Sequence, residues 1–395
     1  MTCRAVNNCR VCEGSLEDVL DLDGQALAGR FPKVGEPDPP AFPLVLGRCK
    51  DIACGLVQLR HTVDPELMFR DYWYRSGVTQ TMRDHLRQIA HQSVRLLGRV
   101  PERVLDIGCN TGELLRNFWG SIKRYGCDPS AVAKEVADFG ILVPELYPTK
   151  ALAGIKFDLI FTIACFYDTD QPLQFARAVY ENLADDGLWC IEVASLVHMI
   201  DSLSYDAICH EHLLYFDESA LVNLLREAGF ELFQLDCNDC NGGSIRLYAR
   251  KQRLSLDEIY TPKVPISHDW RRFHDRLGRH RDEFMRFLCH CYNDDKVVHL
   301  LGASTKANTM LQYCWIFPPL IRAAADKDER KWGRQTPKTH IPIVSEEESR
   351  AMKPDIYLVG PRHFRSELIE REKAFLQRGG KLLFPLPELE IVGHA

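Results

Sequence analysis

The chain has 395 residues, 46% of them hydrophobic, and a formal net charge of −6. It is long and apolar enough to bury two or three cores rather than one. It offers no cationic face for a phosphate backbone and no apolar run long enough to cross a bilayer or to act as a secretory signal. Nucleic acid and membrane are therefore not expected partners, and a cytoplasmic location is expected. Fifteen cysteines without such a signal read as reduced thiols, with room for a metal site, rather than as disulfides.

Residues 1–75 form the first region. Pro32, Pro37, Pro39, Pro40 and Pro43 cluster there, which excludes a long helix and predicts a loop-rich fold with little core of its own. Cys9 and Cys12 make a C-x-x-C knuckle, and Cys49 with Cys54 make a second pair about forty residues on. Two close pairs suit tetrahedral zinc, because each short turn delivers two sulfurs and the metal replaces the missing core. Four filled positions would make such a zinc structural. The plainer alternatives are unrelated buried thiols or a redox pair, although no strand-helix context follows Cys12.

Residues 76–253 read as helix, then strand, glycine turn and helix in repetition, the alternation of a parallel sheet covered on both faces. Val104 to Leu115 is its most informative stretch: an apolar strand enters a small-residue turn that opens into a helix. Such a turn lets backbone amides approach a ligand closely. Gly108, Asn110 and Gly112 alternate after Asp106, unlike the G-x-G-x-x-G spacing of dinucleotide sites, which points to S-adenosylmethionine rather than NAD. Asp128, at the end of the next strand, is placed to accept from both ribose hydroxyls. Asp158, at the start of the strand Phe157 to Phe161, reads as a turn residue and is assigned no role. Cys127, Cys165 and Cys190 lie in apolar runs as small core residues. Further on, His210, Glu211 and His212 crowd into three positions. They do not match the H-E-x-x-H zinc helix; a histidine here suits a general base, with the carboxylate fixing its tautomer. The alternative is a solvated or core-satisfied cluster. Asn241 to Ser244 reads as a tight hairpin corner or a place where backbone meets ligand.

Residues 254–395 open with an amphipathic charged segment, Asp269 to Cys291, followed by a second strand-helix alternation at about residues 297–302, 320–325, 355–359 and 381–384. Gly302 to Asn308 is a strand-to-helix turn in which Ser304 and Lys306 could meet a pyrophosphate. It equally suits a plain helix start capped by Ser304 or Thr305.

Taken together, the cysteine pairs, the run Asp71 to Gly77, the Asp106 to Gly112 loop, the His210-Glu211-His212 cluster, Asn241 to Ser244, and Gly333-Arg334 with His340 to Ile343 resemble the nucleotide-sugar C-methyltransferases, in order along essentially the whole chain. The resemblance implies an α/β protein with a small zinc-binding N-terminal domain, a class I S-adenosylmethionine methyltransferase domain and a C-terminal Rossmann-like domain that helps to hold a nucleotide-linked ketosugar, dTDP or GDP. It implies methylation of the third sugar carbon of a 4-keto-6-deoxysugar, with inversion, by a monomer or homodimer. It makes His212 the base, Glu211 its acidic partner and Tyr74 a hydroxyl facing the sugar. His210 is next in line as base, and Cys209, Asn241, Gly243, Ser304 and Lys306 fall on the substrate side. The chain departs from the family at Cys209, where better-known members carry tyrosine, and at Phe166 to Asp170, where some carry a histidine. The rival readings are an O-methyltransferase, an NAD-dependent sugar epimerase or dehydratase, and a non-enzymatic zinc-knuckle binding protein. No convincing Tyr-x-x-x-Lys pair or G-x-x-G-x-x-G loop supports the second.

Overall fold

The computed structural model describes residues 2–69, 75–77, 79–251 and 268–393. These form two compact units that interleave along the chain: one takes in described residues 2–17, 47–196 and 211–251, the other 18–46, 197–210 and 268–393.

The first unit is built on a seven-stranded sheet. In chain order its strands are β1 (Arg103–Ile107), β2 (Lys123–Cys127), β3 (Ile141–Val143), β4 (Phe157–Ile163), β5 (Leu183–Ala194), β6 (Phe230–Asn238) and β7 (Ser244–Lys251). They lie in the order β3-β2-β1-β4-β5-β7-β6. The first five are mutually parallel, and β7 runs antiparallel to both of its neighbours. This is the expected α/β alternation. Strands β1 and β4 are buried along almost their whole length because both of their faces are covered. Helix α1 (Gln80–Leu97) explains one face: Met82, Leu86, Ile89 and Ala90 recur at helical spacing and are buried, in one core with Val104, Leu159, Phe161 and Cys190. Thr79 caps its start by accepting from Met82 N–H (3.2 Å). Asp158 does serve the chain locally: its Oδ2 accepts the N–H groups of Glu102 (2.6 Å) and Arg103 (2.9 Å), and its Oδ1 accepts from Arg99 (2.6 Å), which pins the entry to β1.

A buried polar network lies on the same face of this sheet, under helix α1. Glu192 on β5 is 2% exposed; its Oε1 lies 2.6 Å from His85 Nε2, and its Oε2 accepts from Arg246 Nε (2.8 Å) and Asn238 Nδ2 (3.0 Å). Burial opposes the charge, but the bonds from His85 and Arg246 outweigh it and hold the carboxyl below its ordinary range. A carboxyl depressed in this way adds stability above its unfolded value of about 4.3, and that stability is lost as pH falls through the native value. Glu192→Gln is expected to cost about 3–5 kcal/mol, because it leaves Arg246 buried beside an uncharged partner. Urea unfolding at neutral pH checks the loss, and the gap between wild type and variant should close on acidification.

The second unit carries a six-stranded sheet of β8 (Val298–Leu301), β9 (Ala323–Asp326), β10 (Ile343–Ser345), β11 (Ile356–Val359), β12 (Lys381–Phe384) and β13 (Glu390–Val392). The order is β10-β9-β8-β11-β12-β13, parallel except for the last pair. The charged segment expected to be amphipathic is a single helix, α2 (Trp270–Asn293), capped by Asp269 and burying Phe273, Leu277, Phe284 and Leu288. Helix α3 (Thr305–Tyr313) follows β8. The N-terminal region is less loop-rich than its prolines suggest. It contains the long strands Leu16–Ala26 and Ala41–Cys49, neighbours in one sheet; the prolines fall at the ends or between the strands, Pro43 excepted, where a missing N–H is tolerated.

Candidate active site

The carboxyl ends of β1, β2 and β4 frame the turn singled out in the sequence. Gly108 and Gly112 both have φ of +73°. A Cβ at Gly108 would stand 2.8 Å from Cys165 Cβ, and one at Gly112 2.7 Å from Val136 and Phe139, so neither position admits a side chain. Asn110 is also left-handed, at φ +49°. Its N–H donates to Asp128 Oδ2 (2.8 Å), while Asp128 Oδ1 accepts from Ser130 N–H (2.7 Å). A carboxylate offers about four acceptor positions, so two remain for a ligand diol. Ser130 Oγ, two residues away, is buried with no partner among the described residues. Asp106 is buried at the end of β1, where burial and then the charge of Asp128 push its carboxyl well above the usual range. A bare-backbone turn, an acid with free lone pairs and an unsatisfied hydroxyl fit the nucleoside of S-adenosylmethionine. Asp128→Ala should weaken that cofactor about 10- to 100-fold, the worth of one or two hydrogen bonds to a charged group. Titration calorimetry with S-adenosylhomocysteine would read this, and unchanged affinity would place the ribose elsewhere.

Tyr74 lies outside the described residues. Two residues on, Ser76 N–H donates to Asn110 Oδ1 (3.0 Å) and Ser76 Oγ is 3.3 Å from Thr111 Oγ1, so Ser76 meets the cofactor turn.

The segment leaving β4 joins that turn to the acid–base cluster. Cys165 Sγ donates to Ile107 O (3.0 Å). Two residues later the Tyr167 ring meets His212 edge-on, with centroids 4.4 Å apart, and Tyr167 O accepts from Leu213 N–H (2.9 Å). Glu211 acts electrostatically on Asp168. Glu211 and His212 belong to the first unit, whereas Cys209 and His210 fall in the second. There His210 is buried, with Nε2 3.2 Å from Phe42 O and its ring against Phe42. Cys209 is buried as well.

Asn241 (φ +54°), Gly242 and Gly243 form the hairpin corner between β6 and β7, and Gly243 O accepts from Ser195 N–H (3.0 Å). In the second unit Ser304 caps α3 by accepting from Ala307 N–H (3.2 Å), with Lys306 half-buried in the first turn. The turn after β8 copies a device of the first unit: Ala303 N–H donates to Asp326 Oδ2 (2.9 Å) and Asp328 N–H to Asp326 Oδ1 (2.9 Å). Here, however, Lys331 Nζ lies 3.1 Å from the same Oδ2 and donates to Ala303 O (2.8 Å).

Cys9, Cys12, Cys49 and Cys54 converge, all four sulfurs lying within 4.8 Å of one another. The close pairs cross between the knuckles, Cys9 to Cys54 at 3.6 Å and Cys12 to Cys49 at 3.4 Å. Zinc–sulfur bonds of 2.3 Å in a tetrahedron require sulfurs about 3.8 Å apart. Their acidities suit a dication. The bond from Cys54 lowers Cys9 to about 5, which makes it the first thiolate, while Cys54 is raised in return. Burial and the bond to Cys12 push Cys49 up to about 12. One sulfur ionises readily and its neighbours resist, until a metal supplies positive charge. Arg10, between the first two cysteines, donates from Nε to Asp170 Oδ1 (3.0 Å), from Nη1 to Leu59 O (2.6 Å) and from Nη2 to Thr62 Oγ1 (2.9 Å). The metal knuckle thus grips the segment that carries Tyr167 and Asp168.

Sequence reasoning assigned no role to Asp168 or to the Glu192 network. The signal for Asp168 was available, since it is the first acid after an apolar strand that neighbours the cofactor strand.

Three family models match the chain in sequence: a zinc binding domain over residues 9–69, a methyltransferase domain over 78–235 and a C-methyltransferase C-terminal domain over 239–387. The C-methyltransferase NovU of Streptomyces niveus is 29% identical over 416 aligned positions, covering 98% of this chain and 97% of that protein. A tRNA U34 carboxymethyltransferase of Wolinella succinogenes is 30% identical over 142 positions, covering 32% of this chain and 51% of its own length. Among solved structures, an S-adenosylmethionine-dependent methyltransferase of Clostridium acetobutylicum is 14% identical, covering 43% of this chain and 92% of that one with a TM-score of 0.36.

Proposed function

We propose, from the premise that this chain is an S-adenosylmethionine-dependent C-methyltransferase with a zinc-binding domain, that it methylates the third carbon of a nucleotide-linked 4-keto-6-deoxysugar. The carbon chemistry displaces the O-methyl, nicotinamide and non-enzymatic readings. The observation that carries the proposal is the segment Cys165 to Asp168, which touches the cofactor turn at one end and His212 at the other.

S-adenosylmethionine supplies a methyl group on a sulfonium, which needs a carbon nucleophile. A sugar carbon next to a ketone becomes one on losing a proton, because the electron pair spreads onto the carbonyl oxygen. His212 takes that proton, and Glu211 holds the imidazole in its accepting tautomer. With the base on one sugar face and the methyl source on the other, configuration inverts. Asp106, Gly108, Asn110, Gly112 and Asp128 hold the cofactor. We assign Tyr74, Cys209, Asn241, Gly243, Ser304 and Lys306 to the sugar nucleotide, with His210 next in line as base. We assign residues 1–75 to zinc, 76–253 to methyl transfer and 254–395 to the nucleotide. Among the described residues no helix is long and apolar enough to cross a membrane.

The test is mass spectrometry of reactions with S-adenosylmethionine and a panel of dTDP- and GDP-linked 4-keto-6-deoxysugars. Gain of one methyl, with solvent deuterium entering the third carbon when the cofactor is replaced by S-adenosylhomocysteine, is the expected result. Cofactor binding without transfer to any member would sink the acceptor assignment.

A further inference from the structure

The turn after β4 holds one polar group that the reading above leaves unused. Asp168 closes the 3-10 turn Phe166–Asp168, its N–H donating to Cys165 O (3.0 Å). The residues around it are engaged: Tyr167 with His212 and Leu213, Asp170 with Arg10 and Thr62. Asp168 Oδ1 is shut off from water and has no hydrogen-bond partner among the described residues. The ionisable groups that act on it are Glu211, from the segment that also carries His212, and the Cys165 thiol on its own turn. Neither can supply positive charge. A carboxylate in this place would be buried and repelled, whereas a carboxylic acid would be neither. Burial first, and then the Glu211 charge, push Asp168 well above the usual carboxylate range.

We propose that Asp168 is a neutral carboxylic acid whose O–H donates a hydrogen bond to the substrate oxygen on which negative charge develops. This rests on the ketone-to-enolate reading above. His212 accepts the C–H proton, and the electron pair left behind moves onto the carbonyl oxygen, which is stabilised by the Asp168 O–H without taking its proton. The pair then returns through carbon as the carbon–methyl bond forms and the carbon–sulfur bond breaks, leaving its electrons on sulfur. Asp168 ends as it began. Acids kept neutral by an apolar site are effective donors to an enolate, because the bond strengthens as charge builds.

Asp168→Asn keeps a donor but cannot ionise; Asp168→Ala removes the donor. Asp168→Ala is expected to lower kcat about 10²- to 10³-fold, the effect of deleting one such donor, with KM little changed and deuterium entry at the third carbon slowed equally. Asp168→Asn should keep most of the rate and lose the decline that wild type shows as pH rises through the Asp168 ionisation. Full activity in Asp168→Ala, or a loss in Asp168→Asn as deep as in Asp168→Ala, overturns the proposal. A second measurement is independent of substrate: infrared difference spectra of wild type against Asp168→Asn should show a protonated carboxyl band at neutral pH, and a carboxylate band there instead refutes the neutral acid. Wild type that binds cofactor, shows the protonated band and yet methylates no ketosugar would refute the acceptor assignment and leave the neutral acid standing.

Discussion

His212→Asn is expected to bind both ligands and to lose at least about 10³-fold in turnover, within the range that a positioned general base supplies. Asparagine is smaller but keeps a polar group beside Tyr167, whose ring meets His212 at 4.4 Å, and retained binding of both ligands shows that the loss reports chemistry rather than collapse. Two readings separate the steps. Deuterium entry at the third carbon in the presence of S-adenosylhomocysteine measures proton removal alone, and it should fall as far as methyl transfer does. If transfer falls while exchange persists, His212 positions the acceptor and another group takes the proton. His210→Asn should slow exchange far less, because His210 Nε2 already meets Phe42 O.

Removal of zinc should have the largest effect on stability. Binding of structural zinc by small metal domains is worth about 10–16 kcal/mol, and the sulfurs at 3.4 and 3.6 Å are already at tetrahedral spacing. Cys9→Ser, or prolonged treatment with a strong chelator, is expected to remove the metal, lower Tm and open the region around the two cysteine pairs to protease. Elemental analysis should find about one zinc per chain in wild type and none in the variant. Turnover should fall as well, through one identifiable contact. With the knuckle unfolded, Arg10 releases Asp170, and the segment bearing Tyr167 and Asp168 loses its anchor. Arg10→Ala, which leaves all four sulfurs in place, tests this link: zinc retained with kcat reduced supports it, and zinc retained with kcat unchanged refutes it. Acid should release the metal, since thiolates must take up protons as it leaves.

The parts of this architecture that rest on local rules were legible in the sequence. Helix α2 was visible from its amphipathic period, and the turn at Gly108 to Gly112 from its small residues and their spacing. Pairing the cysteines into one cluster needed only two short intervals. What was hidden depends on distant parts of the chain meeting. Glu192 finds His85 across 107 positions and Arg246 across 54, and no pattern around any of the three marks it as buried. The strands at Leu16–Ala26 and Ala41–Cys49 were obscured by proline, whose effect on a strand depends on which of its edges is exposed. Interleaving of the two units has no local signature, because it follows from packing rather than from composition.

Asp326 holds its turn as Asp128 does, but an ammonium rests on its carboxylate, with Lys331 Nζ 3.1 Å away and also tied to Ala303 O. Charge, rather than shape, therefore sets the two crevices apart. A diol meets lone pairs at Asp128 and a resident cation at Asp326, and a sulfonium approaching the second crevice meets like charge. The two aspartates share a backbone device, and among the described residues only Asp128 keeps its carboxylate clear of a resident cation.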